Sequence, residues 1–244
     1  MSLVESMGAL EAAGSAQTRK TWLRHGCPEP MFGVSFAALK TLMKRIGVDH
    51  ELAHALWDTG NYDARNLAVK VVDPARMAPA DLDRWAVEQA DAPMSGAYVA
   101  MIAAEGPYGV EKAEQWLGSA SVRERCVGWA VLGQLAQLDE ALPDTYFETR
   151  LAQIERTIRS VANAERGNMN ATLIQIGLRN PALRAAALAG AARIGPVHVD
   201  HGDTECKTPD AAASMEKAWA HSLGKGFASP AAHERGREVL RRRC

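Results

Sequence analysis

The sequence predicts an all-α protein. In the segment FAALKTLMKRI at 36–46, apolar residues recur at a spacing of three and four, which places them on one face of a helix. A residue able to cap a helix precedes proline at Asn180-Pro181, Thr208-Pro209 and Ser229-Pro230, a pattern typical of helix starts. The short stretch VHVD at 197–200 is the one segment that alternates as a strand would.

Further start and stop signals divide the chain into helices. SVRE at 121–124 has the pattern of a capping box, and Asp49 and Asn61 are also candidate caps. Glycines such as Gly47 and Gly195 follow apolar periodic segments and indicate helix ends. We therefore expect roughly a dozen helices joined by short connections.

Amphipathic helices joined by short connections usually pack as antiparallel pairs. If such pairs continue without a long crossover, they form an α-solenoid of the HEAT or armadillo kind. The periodicity is equally compatible with a globular helical bundle. Both architectures remain open at this point.

Composition excludes several classes of protein. The 244 residues carry a net charge of -1, so nucleic-acid binding would require local clustering of cations. Four cysteines stand far apart without a CxxC pair, which favours a reducing compartment over a disulfide framework. No apolar run approaches a membrane span of about 18 residues, and no signal peptide is recognisable. We expect a cytoplasmic protein without a membrane segment.

A set of short motifs then appears in a fixed order along the chain. They are FGV at 32–34, IGVDHELAHALWDTG at 46–60, DARNLA at 63–68, VVDP at 71–74, DRW at 83–85, RERCVGWAVLGQLA at 123–136 and the segment 163–195. Together they resemble the HEAT-like DNA alkylation repair proteins, the alkylpurine DNA glycosylases of the AlkD type. The resemblance covers most of residues 30–195 and favours the solenoid.

The resemblance implies a curved solenoid of HEAT-like antiparallel helix pairs whose concave, cationic face holds duplex DNA. Some members excise alkylated purines such as 3-methyladenine and 7-methylguanine. An alkylated purine is already a cationic leaving group, so the chemistry needs mainly a carboxylate that stabilises charge on the deoxyribose and positions water, beside aromatic faces.

The chain departs from the family at these chemical positions. Active members carry a tryptophan after the DRW helix and an aspartate four residues later, where this chain has Ala92 and Gly96. A second family tryptophan falls near Ala171, whereas the family's arginine corresponds to Arg125. The candidate catalytic residues are Asp91, which could substitute for the missing acid, together with Arg125 and His201.

Basic residues on the matching helices are candidates for DNA contact, with helix N-termini adding backbone amides. These candidates are Lys40, Lys44, Arg45, Arg65, Arg123, Arg125, Arg166 and Arg179. The alternative for each is a solvated position paired with an acid at helical spacing. RGREVLRRRC at 235–244 could contact DNA, but we expect a frayed, solvated terminus.

The stretch VDHGDTECKTPDAA at 199–212 interrupts the helices. Its end resembles a helix start, with Thr208 as the cap and Pro209 in the first turn. His198, His201 and Cys206 are types that bind zinc, but their spacing matches no standard site, and we expect no metal and no cofactor. His201 could instead act as an acid or base, or the stretch could be a hydrogen-bonded connection.

Three functions remain open. The protein could excise alkylated purines, could bind damaged or structured DNA without catalysis, or could be a protein–protein scaffold. We expect a monomer that binds duplex DNA, possibly alkylated. The predicted organisation is one HEAT-like repeat domain over 1–224, followed by a basic C-terminal segment over 225–244 packed on it or extending from it.

Overall fold

The computed structural model describes residues 1–88, 95–202 and 204–243, and the described chain forms two compact units. Unit 1 comprises residues 1–107 and 238–244, and unit 2 comprises residues 108–237. The helices of unit 1 are α1 (Leu3–Ala13), α2 (Ala16–Arg24), α3 (Phe36–Ile46), α4 (His50–Asp58), α5 (Tyr62–Val71), α6 (Pro79–Glu88), α7 (Ser95–Glu105) and α15 (Val239–Arg242). Those of unit 2 are α8 (Gly109–Leu117), α9 (Val122–Leu138), α10 (Asp144–Thr157), α11 (Asn163–Gly177), α12 (Pro181–Ile194), α13 (Ala211–Gly224) and α14 (Pro230–Arg235).

Alternate helices of unit 2 run in the same direction. At the starts of α9 and α11, Arg125 bonds Glu165, and near their ends Gln137 bonds the carbonyl of Gln175. Since α10 lies between them on short connections, it must run the opposite way. Helices α10 and α12 are likewise joined start to start and end to end, by Asn180–Asp144 and Arg193–Glu155.

The spacing of these bonds along the chain shows a repeat. Partners on equivalent helices lie 36 to 43 residues apart, close to the length of a HEAT repeat, about 40 residues. The same relation continues to α13, where the Trp219 indole donates to the Gly177 carbonyl at 2.9 Å. Unit 2 is therefore built from antiparallel helix pairs, as predicted.

The core of unit 1 is aromatic as well as aliphatic. Trp57 of α4 and Trp85 of α6 are fully buried and stack in parallel, with ring centroids 3.9 Å apart. Asp63, in the first turn of α5, is also fully buried and accepts three backbone N–H groups, from residues 32, 33 and 34. The motifs at 32–34, 46–60, 63–68 and 83–85 therefore supply residues that contact one another inside unit 1.

Most predicted helix caps are present. Asn180 accepts from the Leu183 amide at 2.9 Å, and Ser229 accepts from the Ala232 amide at 3.1 Å. Asp49 and Asn61 also cap their helices. The capping box at 121–124 is only half formed, because Glu124 bonds the Ser119 hydroxyl instead of the Ser121 amide.

Two local expectations are wrong. Thr208 does not cap α13, because Asp210 accepts the Ala213 amide at 2.7 Å and the helix begins at Ala211. The VHVD segment at 197–200 forms no strand, since within the described chain it is part of the extended connection between α12 and α13. No described helix is both long and apolar enough to cross a membrane.

Candidate nucleic-acid interface

Helix α3 presents three exposed cations. Its buried face carries Leu39, Leu42 and Met43, and this periodicity leaves Lys40, Lys44 and Arg45 exposed. In the described part of the chain, neither Lys40 nor Lys44 forms an ion pair. Both ammonium groups are therefore available to an anion such as a phosphate.

Arg45 has one weak acidic neighbour. The pKa of the Glu5 carboxyl is lowered, mainly by hydrogen bonds from the Ser2 backbone and hydroxyl and to a smaller extent by Arg45. No described acid forms an ion pair with Arg45 within 4.0 Å. The exposed face of α3 consequently carries a surplus of positive charge.

Arg65 is engaged inside unit 1. Its Nε donates to the Trp57 carbonyl at 3.2 Å and its Nη2 to the Glu88 carboxylate at 2.8 Å. The guanidinium also lies over the Trp57 ring, 5.0 Å from the centroid. Arg65 thereby joins α4, α5 and α6 through groups that a DNA phosphate would have to displace.

Arg125 is the most extensively bonded candidate. Its Nε and Nη2 donate to the Glu165 carboxylate at 2.9 to 3.1 Å, and its Nη1 donates to the carbonyls of Ser119 and Ala120 at 2.9 Å. Glu165 is 3% exposed and also accepts from the Trp129 indole at 3.3 Å. The hydrogen bonds to Glu165 raise the pKa of Arg125. All three guanidinium nitrogens thus already have protein acceptors.

Arg166 and Arg179 donate to backbone carbonyls at helix ends and in the connections that follow them. Arg179 is buried and donates to the carbonyls of Ala136, Asp139 and Leu142 at 2.7 to 3.1 Å. Arg166 donates to backbone carbonyls at 158, 161 and 198. The carbonyls of Ala136, Asp139 and residue 158 lie in the last turn or at the C-cap of a helix, where no intrahelical partner is available, and the others lie in the connections between helices.

Arg123 lies on the first turn of α9 and is exposed. It is separated by one residue from Arg125, which is half-buried and bonded to Glu165. Among the predicted DNA contacts, the exposed cations of the described structure are Lys40, Lys44, Arg45 and Arg123, and the others are half-buried or buried.

The structure describes two of the three proposed catalytic residues, Arg125 and His201. Asp91 lies outside the described residues, as does Ala92, while Gly96 lies in the first turn of α7. His201 is half-buried in the connection after α12, with its Nε2 3.2 Å from the Thr208 hydroxyl. Ala171 is exposed on α11 and offers only a methyl group. The catalytic assignments therefore remain predictions.

The zinc hypothesis finds no support in the geometry. Among the described residues, no three histidine, cysteine or acidic side chains converge closely enough to hold a metal ion. His198 and Cys206 are exposed, and the His201 Nε2 is occupied by Thr208. The connection is instead held by hydrogen bonds, which agrees with the third interpretation of this stretch.

Two acids that bond the candidate DNA-binding arginines were not identified from the sequence. The acid partners Glu88 and Glu165 determine whether Arg65 and Arg125 can reach a ligand, but each lies in a different helix from its arginine. Helical spacing reveals pairs only within one helix. The repeat length of about 40 residues is the signal that could have linked Arg125 to Glu165.

The antiparallel helix pairs of unit 2, with a repeat near 40 residues, are typical of HEAT-like repeat proteins. A family model described as DNA alkylation repair enzyme matches residues 7–215. The chain belongs to this family, so the predicted family and the all-α, HEAT-like fold class are confirmed.

The chain is also similar to two bacterial proteins and to one solved structure. An uncharacterized protein of Listeria innocua, Lin0241, is 28% identical over 215 residues, covering 86% of this chain and 93% of that protein. Lmo0209 of Listeria monocytogenes is 27% identical with the same coverage. A solved structure described as "a new family of proteins related to the HEAT-like repeat DNA glycosylases with affinity for branched DNA structures" has a TM-score of 0.81. It is 28% identical and covers 93% of this chain and 95% of its own.

Proposed function

We propose that this protein binds branched DNA through exposed cations, including those of α3, and does not excise bases. The observation that carries the proposal is the exposure of Lys40 and Lys44 without an ion-pair partner in the described chain. Lysine ammonium groups on a helix face neutralise phosphates and release counterions, which drives binding without base specificity. The solved relative's affinity for branched DNA supports the choice of ligand.

The state of Arg125 supports binding rather than excision. Its guanidinium is held by a buried carboxylate and two carbonyls, so approach to a lesion would require breaking that arrangement. Removing one partner of such a buried pair costs about 3–5 kcal/mol. The small side chains at the family's tryptophan and aspartate positions, Ala92, Gly96 and Ala171, also favour a binding protein.

The binding proposal is tested by fluorescence anisotropy with a labelled four-way junction and a linear duplex of the same sequence. We expect tighter binding to the junction and a linear decrease in log affinity with log salt. The double variant Lys40→Ala/Lys44→Ala should lose about tenfold in affinity, and its salt slope should fall by about two.

The matched control is Lys217→Ala/Lys225→Ala, which removes two exposed lysines from α13 and its cap. This control should bind as the unaltered protein does. Equal losses in both double variants would contradict a role for α3. Absence of any salt-dependent DNA affinity would contradict the function and would favour the protein–protein scaffold.

Excision is tested separately, by release of 7-methylguanine and 3-methyladenine from methylated DNA. We expect release no faster than in the protein-free reaction. Release that increases with protein concentration would contradict the non-catalytic part of the proposal. It would then assign the protein to the alkylpurine glycosylases.

A further inference from the structure

Unit 1 concentrates positive charge in one segment of the chain. Residues 15–47 contain six lysines and arginines but a single acid, Glu29, which gives this segment a net charge of +5. The whole chain has a net charge of -1, so all the other residues together carry -6. Helices α2 and α3 hold the six cations of the segment, and the proposed function names only those of α3.

Helix α2 exposes cations without acids. None of its nine residues, all of which the structure describes, is buried. Arg19 pairs with Glu29, whereas neither Lys20 nor Arg24 forms an ion pair within the described part of the chain, and both are exposed. Protein surfaces usually intersperse charges of both signs, so a helix that carries cations alone indicates an anionic partner.

The position of α2 is well defined although none of its residues is buried. The Trp22 indole donates to the Val34 carbonyl at 3.1 Å and packs edge to face on the Phe36 ring, with ring centroids 5.1 Å apart. Gly33 has a φ of +81°, and a Cβ atom there would lie 2.6 Å from the carbonyl oxygen of Ser15, the cap of α2. Only glycine suits such a close approach at a positive φ. Helix α2 is therefore fixed against the start of α3.

Both helices present cations in pairs at four-residue spacing, which places the two members of a pair on the same side of a helix. Lys40 and Lys44 lie about one and two turns after the contact between α3 and Trp22. Lys20 and Arg24 each lie two residues from Trp22, roughly 200° around α2 from that contact, and they project into solvent. The cation pair of α2 thus lies on the exposed side of a helix that packs against the start of the lysine-bearing helix.

We propose that α2 is a second DNA-contacting element, in which Lys20 and Arg24 bind backbone phosphates in addition to those bound by α3. The proposal rests on the proposed function, because it takes DNA as the ligand, but it concerns a helix that the proposed function does not require. Ammonium and guanidinium groups both bind phosphate oxygens, and each neutralised phosphate releases counterions. Each further phosphate contact consequently strengthens binding and steepens its dependence on salt.

The first experiment measures the affinity of the full chain for the four-way junction over a series of salt concentrations. Lys20→Ala/Arg24→Ala should lose about tenfold in affinity, and its salt slope should fall by about two. Combination with Lys40→Ala/Lys44→Ala should lower the slope by about four, because the two pairs contact different phosphates. An α2 variant that binds and responds to salt as the unaltered protein does would overturn the proposal.

Two control variants separate a DNA contact from a general effect of charge. Arg19→Ala/Glu29→Ala removes the ion pair of α2 without a change in net charge and should bind as the unaltered protein does. Lys217→Ala/Lys225→Ala removes the same charge as the α2 variant, but from exposed positions in unit 2, and should also bind normally. Equal losses in this variant and in the α2 variant would overturn the proposal, since net charge would then explain both.

The second experiment needs no substitution and so does not depend on the folding of a variant. Acetylation with an N-hydroxysuccinimide ester, followed by mass spectrometry, reports the accessibility of each lysine in the unaltered protein with and without the junction. Lys20, Lys40 and Lys44 should be protected when the junction is bound, whereas Lys217 should not.

The outcomes distinguish this proposal from the proposed function. If Lys40 and Lys44 are protected but Lys20 is not, α2 does not contact DNA and only the proposal for α2 is overturned. If the unaltered protein has no salt-dependent affinity for DNA, both are overturned. If anionic phosphatidylglycerol vesicles protect Lys20 and the junction does not, the cations of α2 bind a membrane surface, which also overturns the proposal.

Discussion

At the scale of single residues, several arginines of the described chain donate to carbonyls at or near the ends of helices. The last carbonyls of a helix have no intrahelical donor, and a guanidinium can reach several of them at once. Arg166 binds the carbonyl of Ile158 and Arg179 binds that of Asp139, each at the C-cap of a helix, and Arg125 binds a buried acid. An arginine at a position that matches the family motif can therefore have a structural role. These arginines are buried or half-buried, whereas Lys40 and Lys44 of α3 are exposed.

The buried pair of Arg125 and Glu165 gives a first prediction. Glu165→Gln should lower the free energy of unfolding by about 3 kcal/mol, because a half-buried guanidinium loses its charged partner. Urea unfolding followed by circular dichroism measures the change. Glu155→Gln, which breaks the exposed pair with Arg193, is the control and should change stability much less. Equal losses would refute the structural role of Glu165.

The thiols give a second prediction. Burial raises the pKa of Cys126 to about 11, with a smaller contribution from Glu165, and burial also raises the pKa of Cys27. Cys206 is exposed. In a Cys244→Ser background at pH 8, Ellman's reagent should react rapidly with one thiol. That fast phase should vanish in the additional Cys206→Ser variant, and its persistence would show that a buried thiol is accessible.

At the scale of elements, α5 organises unit 1 through its first turn. Asp63 accepts the amides of residues 32–34 at 2.7 to 3.0 Å, and this contact attaches the segment before α3 to α5. Helix α3 begins two residues after this attachment and is capped by Ser35. The FGV and DARNLA motifs are thus two halves of one structural contact.

Replacing this aspartate gives a third prediction. Asp63→Ala should lower the free energy of unfolding by about 3 kcal/mol, since buried backbone donors are left without an acceptor. Ser35→Ala removes only the exposed cap of α3 and should cost about 1 kcal/mol. Urea unfolding of both variants provides the comparison. A smaller loss for Asp63→Ala than for Ser35→Ala would contradict the assignment.

The burial of a histidine on α4 leads us to expect that the stability of unit 1 depends on pH. Burial lowers the pKa of His50 below its usual 6.5, with further contributions from His54 and Arg76 that outweigh those of Glu51 and Asp73. The His50 and His54 rings lie 4.6 Å apart. The neutral form is therefore favoured by folding, and the unfolded chain binds more protons between the two pKa values.

The fourth prediction follows from the lowered pKa of His50 in the folded protein. The contribution of His50 to stability should be complete above pH 6.5 and should be lost as the pH falls through the lowered folded-state pKa. Urea midpoints measured between pH 7.5 and pH 5 should decrease, and His50→Gln should decrease less over the same range. An identical pH dependence in both proteins would exclude His50 as the cause.

At the scale of the whole molecule, the C-terminal residues belong to unit 1. Arg243 is fully buried and donates to Glu105 at 2.6 Å and to the Val72 carbonyl at 2.8 Å. Arg242 also bonds Glu105, which is nearly buried. The expectation of a frayed terminus is wrong for these arginines, because the buried acid of α7 requires their charge.

The fifth prediction concerns this contact. Arg243→Ala should destabilise the protein by about 3–5 kcal/mol, since it removes a fully buried partner of Glu105. Thermal unfolding of the full chain measures the effect. Arg156→Ala, which removes an exposed arginine of α10, should leave the melting temperature nearly unchanged. A melting temperature of Arg243→Ala equal to that of the unaltered protein would contradict the burial of this terminus.

The capping residues in the sequence predicted most helix starts correctly. The prediction failed where the capping side chain bonds a residue outside its own helix. Asn180 and Ser229 cap helices as expected because a cap and its amide are three residues apart. Thr208 was expected to cap α13 but bonds Val199, nine residues earlier. Thr208 differs from Asn180 and Ser229 because the fold places the Val199 amide within hydrogen-bonding distance of its hydroxyl.

The sequence by itself determined the family, the helical class and most helix starts, because these follow from periodicity, short-range hydrogen bonds and motif order. Only the tertiary structure decided which cations are exposed and which are held, since Glu88, Glu165 and Glu105 lie 23, 40 and more than 130 residues from their arginines. The sequence shows which residues carry charge. Whether a charged side chain is exposed or already bonded depends on the residues that the fold places beside it.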